Sequence, residues 1–260
     1  MLIACGVEYD GAGYSGWQAQ PHAPSVQAVV EKALSKVANH PVQLCCAGRT
    51  DAGVHATHQV IHFETTAERR EREWLLGGNT NLPDNVTLTW VRDVDDDFHA
   101  RFSAEARSYR YVILTREVPS ALLRRRVTWV HETLDAERMQ AGARYLLGEH
   151  DFSSYRATAC QAKSPVRTVH RLDISRQGDF IYLDIQANAF LHHMVRNIAG
   201  VLIAIGRGDR PVDWAAEVLT QRDRTLGGVT APPDGLYFAE VEYPEAFGIP
   251  APPAAPLPTG

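Results

Sequence analysis

Lysine is nearly missing from this chain. Of its 26 basic residues only Lys32, Lys36 and Lys163 are lysine, and the rest are arginine. Arginine is the cation suited to bidentate phosphate contacts and to stacking on flat rings. Acidic residues outnumber basic ones, giving a net charge of −5. That excludes a uniformly basic nucleic-acid binder but leaves room for one basic face, because net charge averages over surfaces a ligand never meets. No apolar run approaches the roughly 18 residues of a membrane span. No basic region precedes the apolar Leu2-Ile3-Ala4, so no signal peptide is expected. Cysteine is sparse: Cys5, Cys45, Cys46 and Cys160 include an adjacent pair and no CxxC spacing. Reduced thiols in a cytoplasmic protein are the expectation. There is also no GxSxG elbow to support a Ser/His/Asp triad.

What remains is an ordinary globular composition, 45% apolar and 22% charged over 260 residues. That length lies between one large domain and two modest ones. Leu2 to Tyr9 alternates, with Ile3, Cys5, Val7 and Tyr9 on one face, and predicts a strand. Gly11-Ala12-Gly13-Tyr14-Ser15-Gly16 then matches GxGxxG. A dinucleotide site would need a helix to open inside that match. Trp17-Gln18-Ala19-Gln20-Pro21 follows instead, with Pro24 after it, so the nicotinamide reading fails and the helix is expected from Ser25 to about Asn39. A second helix is expected over Ala67–Leu76, carrying Arg69, Arg70 and Arg72, and a strand over Val86–Val94. The acidic run Asp95-Asp96-Asp97 and the segment Phe98–Ser103 mark a boundary.

The second part repeats the order of the first. Strands are expected over Ala106–Leu114 and through Trp129, and a helix over Leu134–Leu147 capped near Asp135. Val166–Ser175 and Phe180–Ala187 predict a hairpin turning at Gly178-Asp179, and Phe190–Ile205 a strongly apolar helix containing His192, His193 and Arg196. A short helix over Asp213–Arg222 and a strand over Leu236–Val241 complete it. The expected fold is α+β: two ferredoxin-like β-α-β-β-α-β halves joined through a mixed, largely antiparallel sheet, with helices packed on it and a central cleft for the site. The halves are taken as residues 1–103 and 104–243, with a Pro-rich tail over 244–260.

The stretch with the most chemical content is Cys46-Ala47-Gly48-Arg49-Thr50-Asp51-Ala52-Gly53-Val54-His55. The flanking runs Val42–Cys46 and Gln59–Phe63 should pair, placing Arg49–Ala56 on a loop held at both ends by sheet. Gly48 and Gly53 permit sharp bends on either side of Asp51. A carboxylate so presented suits a nucleophile or base; the same pattern also fits a turn whose Asp caps its own backbone. His55, His58 and His62 suggest a metal, but on a strand His58 and His62 share a face and His55 points away, so no metal is expected. In the apolar helix, Arg196 needs an anionic partner. Any core acid would do, and Asp51 is one candidate. Arg107-Ser108-Tyr109-Arg110-Tyr111 fits either strand aromatics against a helix or a surface that stacks bases and holds phosphates. Arg124-Arg125-Arg126 fits a solvated turn or an RNA contact.

Gly48-Arg49-Thr50-Asp51-Ala52-Gly53-Val54-His55 resembles the catalytic motif of the bacterial tRNA pseudouridine synthase A family. The likeness extends over nearly the whole chain and in the same order. It includes Val7-Glu8-Tyr9-Asp10-Gly11, Trp17-Gln18, Arg101-Phe102-Ser103, Arg107 to Tyr111, Gly148-Glu149-His150-Asp151-Phe152, Asn188 to Asn197, and Gly235-Leu236-Tyr237. The resemblance implies a cofactor-free homodimer with tRNA as its partner. It would isomerise uridine to pseudouridine at positions 38, 39 and 40 of the anticodon stem-loop. It also implies that Asp51 is the essential acid, that Tyr109 packs on the target base, and that Arg196 pairs with Asp51. Arg49 would lie near the flipped nucleotide and Leu236 beside the base. Two other readings stay open on the residues: a non-catalytic tRNA-binding protein or chaperone on the same fold, and a hydrolase that uses Asp51 and releases free base.

Overall fold

Ser25 begins the first helix as the sequence predicts, its hydroxyl accepting from the Ala28 N–H at 3.4 Å, and Asn39 ends it in the left-handed region (φ 60°). The computed structural model describes residues 1–252; the Pro-rich tail beyond them lies outside the described residues. In chain order the first elements are β1 (Leu2–Tyr9), α1 (Val26–Ala38), β2 (Cys45–Cys46), β3 (His55–Glu64), α2 (Glu71–Asn81) and β4 (Val86–Val94). Next come β5 (Ala106–Thr115), β6 (Thr128–Val130), α3 (Ala136–Ala143), β7 (Gly148–Asp151), β8 (Val166–Gln177) and β9 (Phe180–Ala187). The last are α4 (Met194–Arg207), α5 (Trp214–Gln221) and β10 (Leu236–Glu242). The fold is α+β, with strand pairing that is mixed but largely antiparallel. Among the described residues no helix is long and apolar enough to cross a membrane.

By its internal contacts the chain forms two units. Among the described residues, one comprises 1–105 and 237–252; the other comprises Ala106–Leu236. In the first, the strands run β4-β1-β3 with β2 also on β3, a ferredoxin-like order. β1 pairs antiparallel with both neighbours, and nearly every residue of it is buried. It is therefore covered on both faces, although its alternation suggests only one. On the edge away from β1, β3 serves two partners along its length. Its C-terminal part pairs with β2 (Cys45 opposite His62, Cys46 opposite Ile61), while its first residues lie parallel to β10 (His55 opposite Tyr237, Ala56 opposite Phe238). The segment between β2 and β3 is thus anchored where the two pairings meet. In the second unit β5, β9, β8 and β7 are antiparallel neighbours, and β6 runs parallel to β5.

Several boundaries depart from the sequence expectations for local reasons. α2 starts at Glu71 rather than Ala67, because the Glu73 carboxylate accepts the Arg70 N–H at 2.9 Å and closes a cap there. β2 is only two residues long, although Val42–Cys46 reads as a strand. β7 was not expected at all: Gly148-Glu149-His150-Asp151 has no apolar alternation, yet it pairs with Val166–Val169. The largest shift is in α4, which begins at Met194, four residues after Phe190. His193 is in the left-handed region (φ 63°), and the His192 carbonyl accepts the Ala157 N–H at 2.8 Å. His192 and His193 therefore precede the helix, and the apolar pattern alone does not reveal this turn. Beyond β10, the chain forms a turn at Glu245–Phe247 whose Phe247 ring meets Phe98 at 5.3 Å.

Candidate active site

Within the first unit, four separate contacts hold the backbone around Asp51. The loop starts after Ala47, whose N–H donates to the Val60 carbonyl at 2.8 Å. Next to it the side-chain amide of Gln59, fully buried on β3, clasps Gly48 from both sides. Its Nε2 donates to the Gly48 carbonyl at 2.6 Å, and its Oε1 accepts the Gly48 N–H at 3.4 Å. Thr50, also buried, shares a 2.7 Å hydrogen bond with the Tyr9 hydroxyl at the end of β1. Burial raises the Tyr9 pKa well above its ordinary value, so that hydroxyl stays neutral. The Asp51 carbonyl then accepts the Val54 N–H at 3.1 Å, closing a turn whose third residue, Gly53, has φ 78°. The turn reading of the sequence is thus correct for the backbone, and Asp51 sits at its first position, partly exposed.

The GxGxxG stretch has its use here. The Trp17 N–H donates to the Thr50 carbonyl at 3.0 Å, and the Gly53 N–H donates to the Tyr14 carbonyl at 3.2 Å. Backbone lies directly on backbone. At Gly16, where φ is +99°, a Cβ would sit 2.7 Å from the Thr50 oxygen and 3.1 Å from the Asp51 carbonyl carbon. At Gly11 it would sit 1.9 Å from the Val54 oxygen. At Gly13 it would meet nothing within 4 Å. These glycines support the acid's loop and do not cradle a pyrophosphate. No helix opens inside the match, only a turn at Gly11–Gly13, as the prolines indicate.

His55, just after the loop, stacks on Tyr237 of β10 with ring centroids 4.8 Å apart. Its Nδ1 is 3.1 Å from both the Gly11 N–H and Asp10 Oδ1. Neutral, Nδ1 accepts the Gly11 N–H; protonated, it pairs with the Asp10 carboxylate instead. His58 accepts from the Trp90 indole N–H at 3.1 Å, and burial lowers its pKa to about 4. His62 accepts the Ala100 N–H at 3.1 Å and is also lowered to about 4, by burial and then by nearby His99. The three strand histidines are each engaged in a structural contact. A different trio, Cys45, His62 and His99, places donor atoms within 4.8 Å of one another. Nδ1 of both histidines, however, accepts backbone N–H groups, which puts the ring proton on the remaining nitrogen and makes a poor metal donor set.

Among the other expected residues, Arg49 is exposed on the Asp51 loop. In the second unit, Tyr109 and Tyr111 share a face of β5 but differ in use. Tyr111 is buried, its hydroxyl donating to the Pro232 carbonyl at 2.8 Å, so it is a core residue. Tyr109 is half-buried, with the Phe190 ring edge-on at 4.9 Å. Arg110 pairs bidentately with Asp184 at 2.6 and 2.9 Å, which uses its charge within the sheet. Arg196 is the third residue of α4 and is not fully buried, contrary to the reading of the apolar run. Its Nε donates to the Ala231 carbonyl at 2.8 Å, and its own carbonyl accepts the Ala231 N–H at 3.1 Å, so the segment before β10 fixes one edge of the guanidinium. Leu236, buried, opens β10. Gln59, Thr50, Tyr9, Gly11 and Gly16 were not singled out from the sequence as supports. For Gly11 and Gly16 the local signal is the GxGxxG match with no helix opening inside it.

A loop that holds one carboxylate on a backbone hydrogen-bonded at several points suits an enzyme nucleophile or base. The model of the tRNA pseudouridine synthase family matches residues 6–103 and 143–244. The chain is 59% identical over 249 residues to a tRNA pseudouridine synthase A of Methylococcus capsulatus, covering 96% of this chain and 92% of that one. It is 58% identical over 250 residues to that of Nitrosococcus oceani (96% of each), and 55% over 255 residues to that of an Enterobacter species (98% and 94%). The chain belongs to the tRNA pseudouridine synthase family.

Proposed function

We propose that this protein converts uridine to pseudouridine at positions 38, 39 and 40 of the tRNA anticodon stem-loop, with Asp51 as the essential acid. The observation that carries the proposal is the loop itself. The Gln59 clasp on Gly48, the Tyr9–Thr50 hydrogen bond and the Gly16 contact fix the backbone on which Asp51 stands. That stability matters because the reaction must break the C1′–N1 bond, turn the uracil and join C5 to C1′ without losing the base. In one route the Asp51 carboxylate attacks C1′ and uracil departs as its N1 anion. C5 then displaces the carboxylate and sheds its proton to solvent, while N1 takes one up. In the other, Asp51 removes the C2′ proton as uracil leaves, and returns it once C5 has added. Neither route consumes a cofactor or an oxidant.

The other roles follow the family resemblance. Arg196 balances the charge of the carboxylate, Tyr109 packs on the uracil ring, Leu236 lies beside it, and Arg49 stands near the flipped nucleotide. Leaving the helical stack costs a few kcal/mol, which aromatic contacts offset. Arginine–phosphate contacts set the register along the arm and make binding salt-dependent. Homodimerisation fits the same account, since two subunits on one anticodon arm let chains of net charge −5 pool their arginines. A cytoplasmic location accords with four free thiols. The test is an unmodified tRNA transcript carrying 5-tritiated uridine, with modified sites mapped afterwards. Tritium release with pseudouridine at 38–40 is expected. Binding without release would make the protein a tRNA-binding module, and free uracil would make it a hydrolase.

A further inference from the structure

Phe102 is 75% exposed, an unusual setting for a large apolar ring, and the backbone beneath it is tightly fixed. The His99 N–H donates to Ser103 Oγ at 2.9 Å, and the Ser103 N–H returns to the His99 carbonyl at 2.9 Å. The Arg101 and Phe102 N–H groups both point at His99 Nδ1, at 3.1 and 3.2 Å. Between them the Ala100 N–H donates to His62 at 3.1 Å, and the Ala100 carbonyl accepts the Tyr243 hydroxyl at 2.6 Å. A hydrophobic ring on a mobile loop would need no such bracing. Here the ring is presented in one place.

Its neighbours indicate what it meets. The His99 ring lies against it, with centroids 4.3 Å apart and planes 31° from parallel, and His62 meets His99 edge-on at 4.6 Å. The Arg101 guanidinium is 5.5 Å from the Phe102 centroid. The patch is therefore an exposed ring packed against one aromatic, with the Arg101 guanidinium over it. A planar group carrying negative charge next to it matches that chemistry, and a purely apolar partner does not.

We propose that Phe102 is a stacking platform for an unpaired base of the RNA substrate, with Arg101 holding an adjacent phosphate. This rests on the reading of the protein as one that acts on tRNA and adds a binding point away from Asp51. Stacking a base on an exposed aromatic is worth about 5- to 150-fold in affinity. The test compares wild type with Phe102→Ala, Phe102→Trp and Arg101→Ala on an unmodified tRNA transcript. It measures kcat, KM and direct tRNA binding by fluorescence anisotropy at low and high salt. Phe102→Ala is expected to raise KM and the dissociation constant by about 5- to 150-fold with kcat within twofold, and Phe102→Trp to restore both. Arg101→Ala is expected to lower the slope of log K against log salt by about one. A Phe102→Ala binding constant within twofold of wild type would overturn the proposal. So would an altered sedimentation coefficient for Phe102→Ala, which would assign the ring to a second copy of the chain. If wild type binds tRNA yet forms no pseudouridine, the catalytic reading fails while the anisotropy series still decides the platform.

Discussion

Two glycines of one short motif should respond in different ways to the same small change. Gly16→Ala forces a Cβ into a backbone with φ +99°, a conformation that costs an L-residue about 1–2 kcal/mol. The new methyl would also sit 2.7 Å from the Thr50 oxygen, so the Thr50–Ala52 backbone must retreat by several tenths of an ångström. Such overpacking adds about 1–3 kcal/mol. Together they lower stability by about 2–5 kcal/mol in urea melts, a loss a typical domain survives. The displacement falls on Asp51, and because an error of about 1 Å in a reacting group costs roughly 100-fold, single-turnover pseudouridine formation should fall about tenfold or more. Gly13→Ala is the internal control: nothing lies within 4 Å of its Cβ and its φ is not positive, so both stability and rate should stay near wild type. The assays are urea denaturation followed by fluorescence, and single-turnover modification of a tRNA transcript with enzyme in excess. The reasoning fails if Gly16→Ala keeps its rate within twofold, or if Gly13→Ala is as damaging as Gly16→Ala.

Gln59→Leu keeps the side-chain volume but leaves the Gly48 N–H and C=O without their buried partner; it should cost about 2–4 kcal/mol and slow modification, and unchanged urea midpoints would refute the clasp. His58 should make folding stability depend on pH. Its folded pKa of about 4 lies below the ordinary 6.5, so the unfolded chain binds more protons between those values. Stability should be full above pH 6.5, decline toward pH 4, and lose at most about 3 kcal/mol there from this residue; urea titrations across that window test it against His58→Gln, whose profile should be flatter.

The parts of the fold that sequence revealed are those with a one-dimensional signature. β1 alternates, Ser25 and Asp135 cap their helices, and Gly178 marks the β8–β9 hairpin, so these elements fall close to where they are expected. The start of α4 is hidden because Phe190 and Leu191 continue the apolar pattern while a left-handed His193, beside a His192 carbonyl held by the distant Ala157, breaks the helix. β7 was hidden because it is polar, and only pairing with β8 makes it a strand. Asp51 stood out from its glycines, but its supports did not. Gln59 is one buried polar residue in an apolar strand, and its role depends on Gly48 being brought beside it by the β2–β3 pairing. The packing of the GxGxxG stretch against residues 50–54 is a contact between distant segments that no local pattern encodes.

The most direct test of the central claim replaces one oxygen of the acid. Asp51→Asn changes little in size and none of the backbone contacts that hold the loop, so the variant should fold and bind tRNA as wild type does. Incubated in excess with a tRNA transcript labelled at C5 of uridine, wild type should release tritium from the modified sites, and Asp51→Asn should release none above background. Tritium release by Asp51→Asn at a rate near that of wild type would contradict the account.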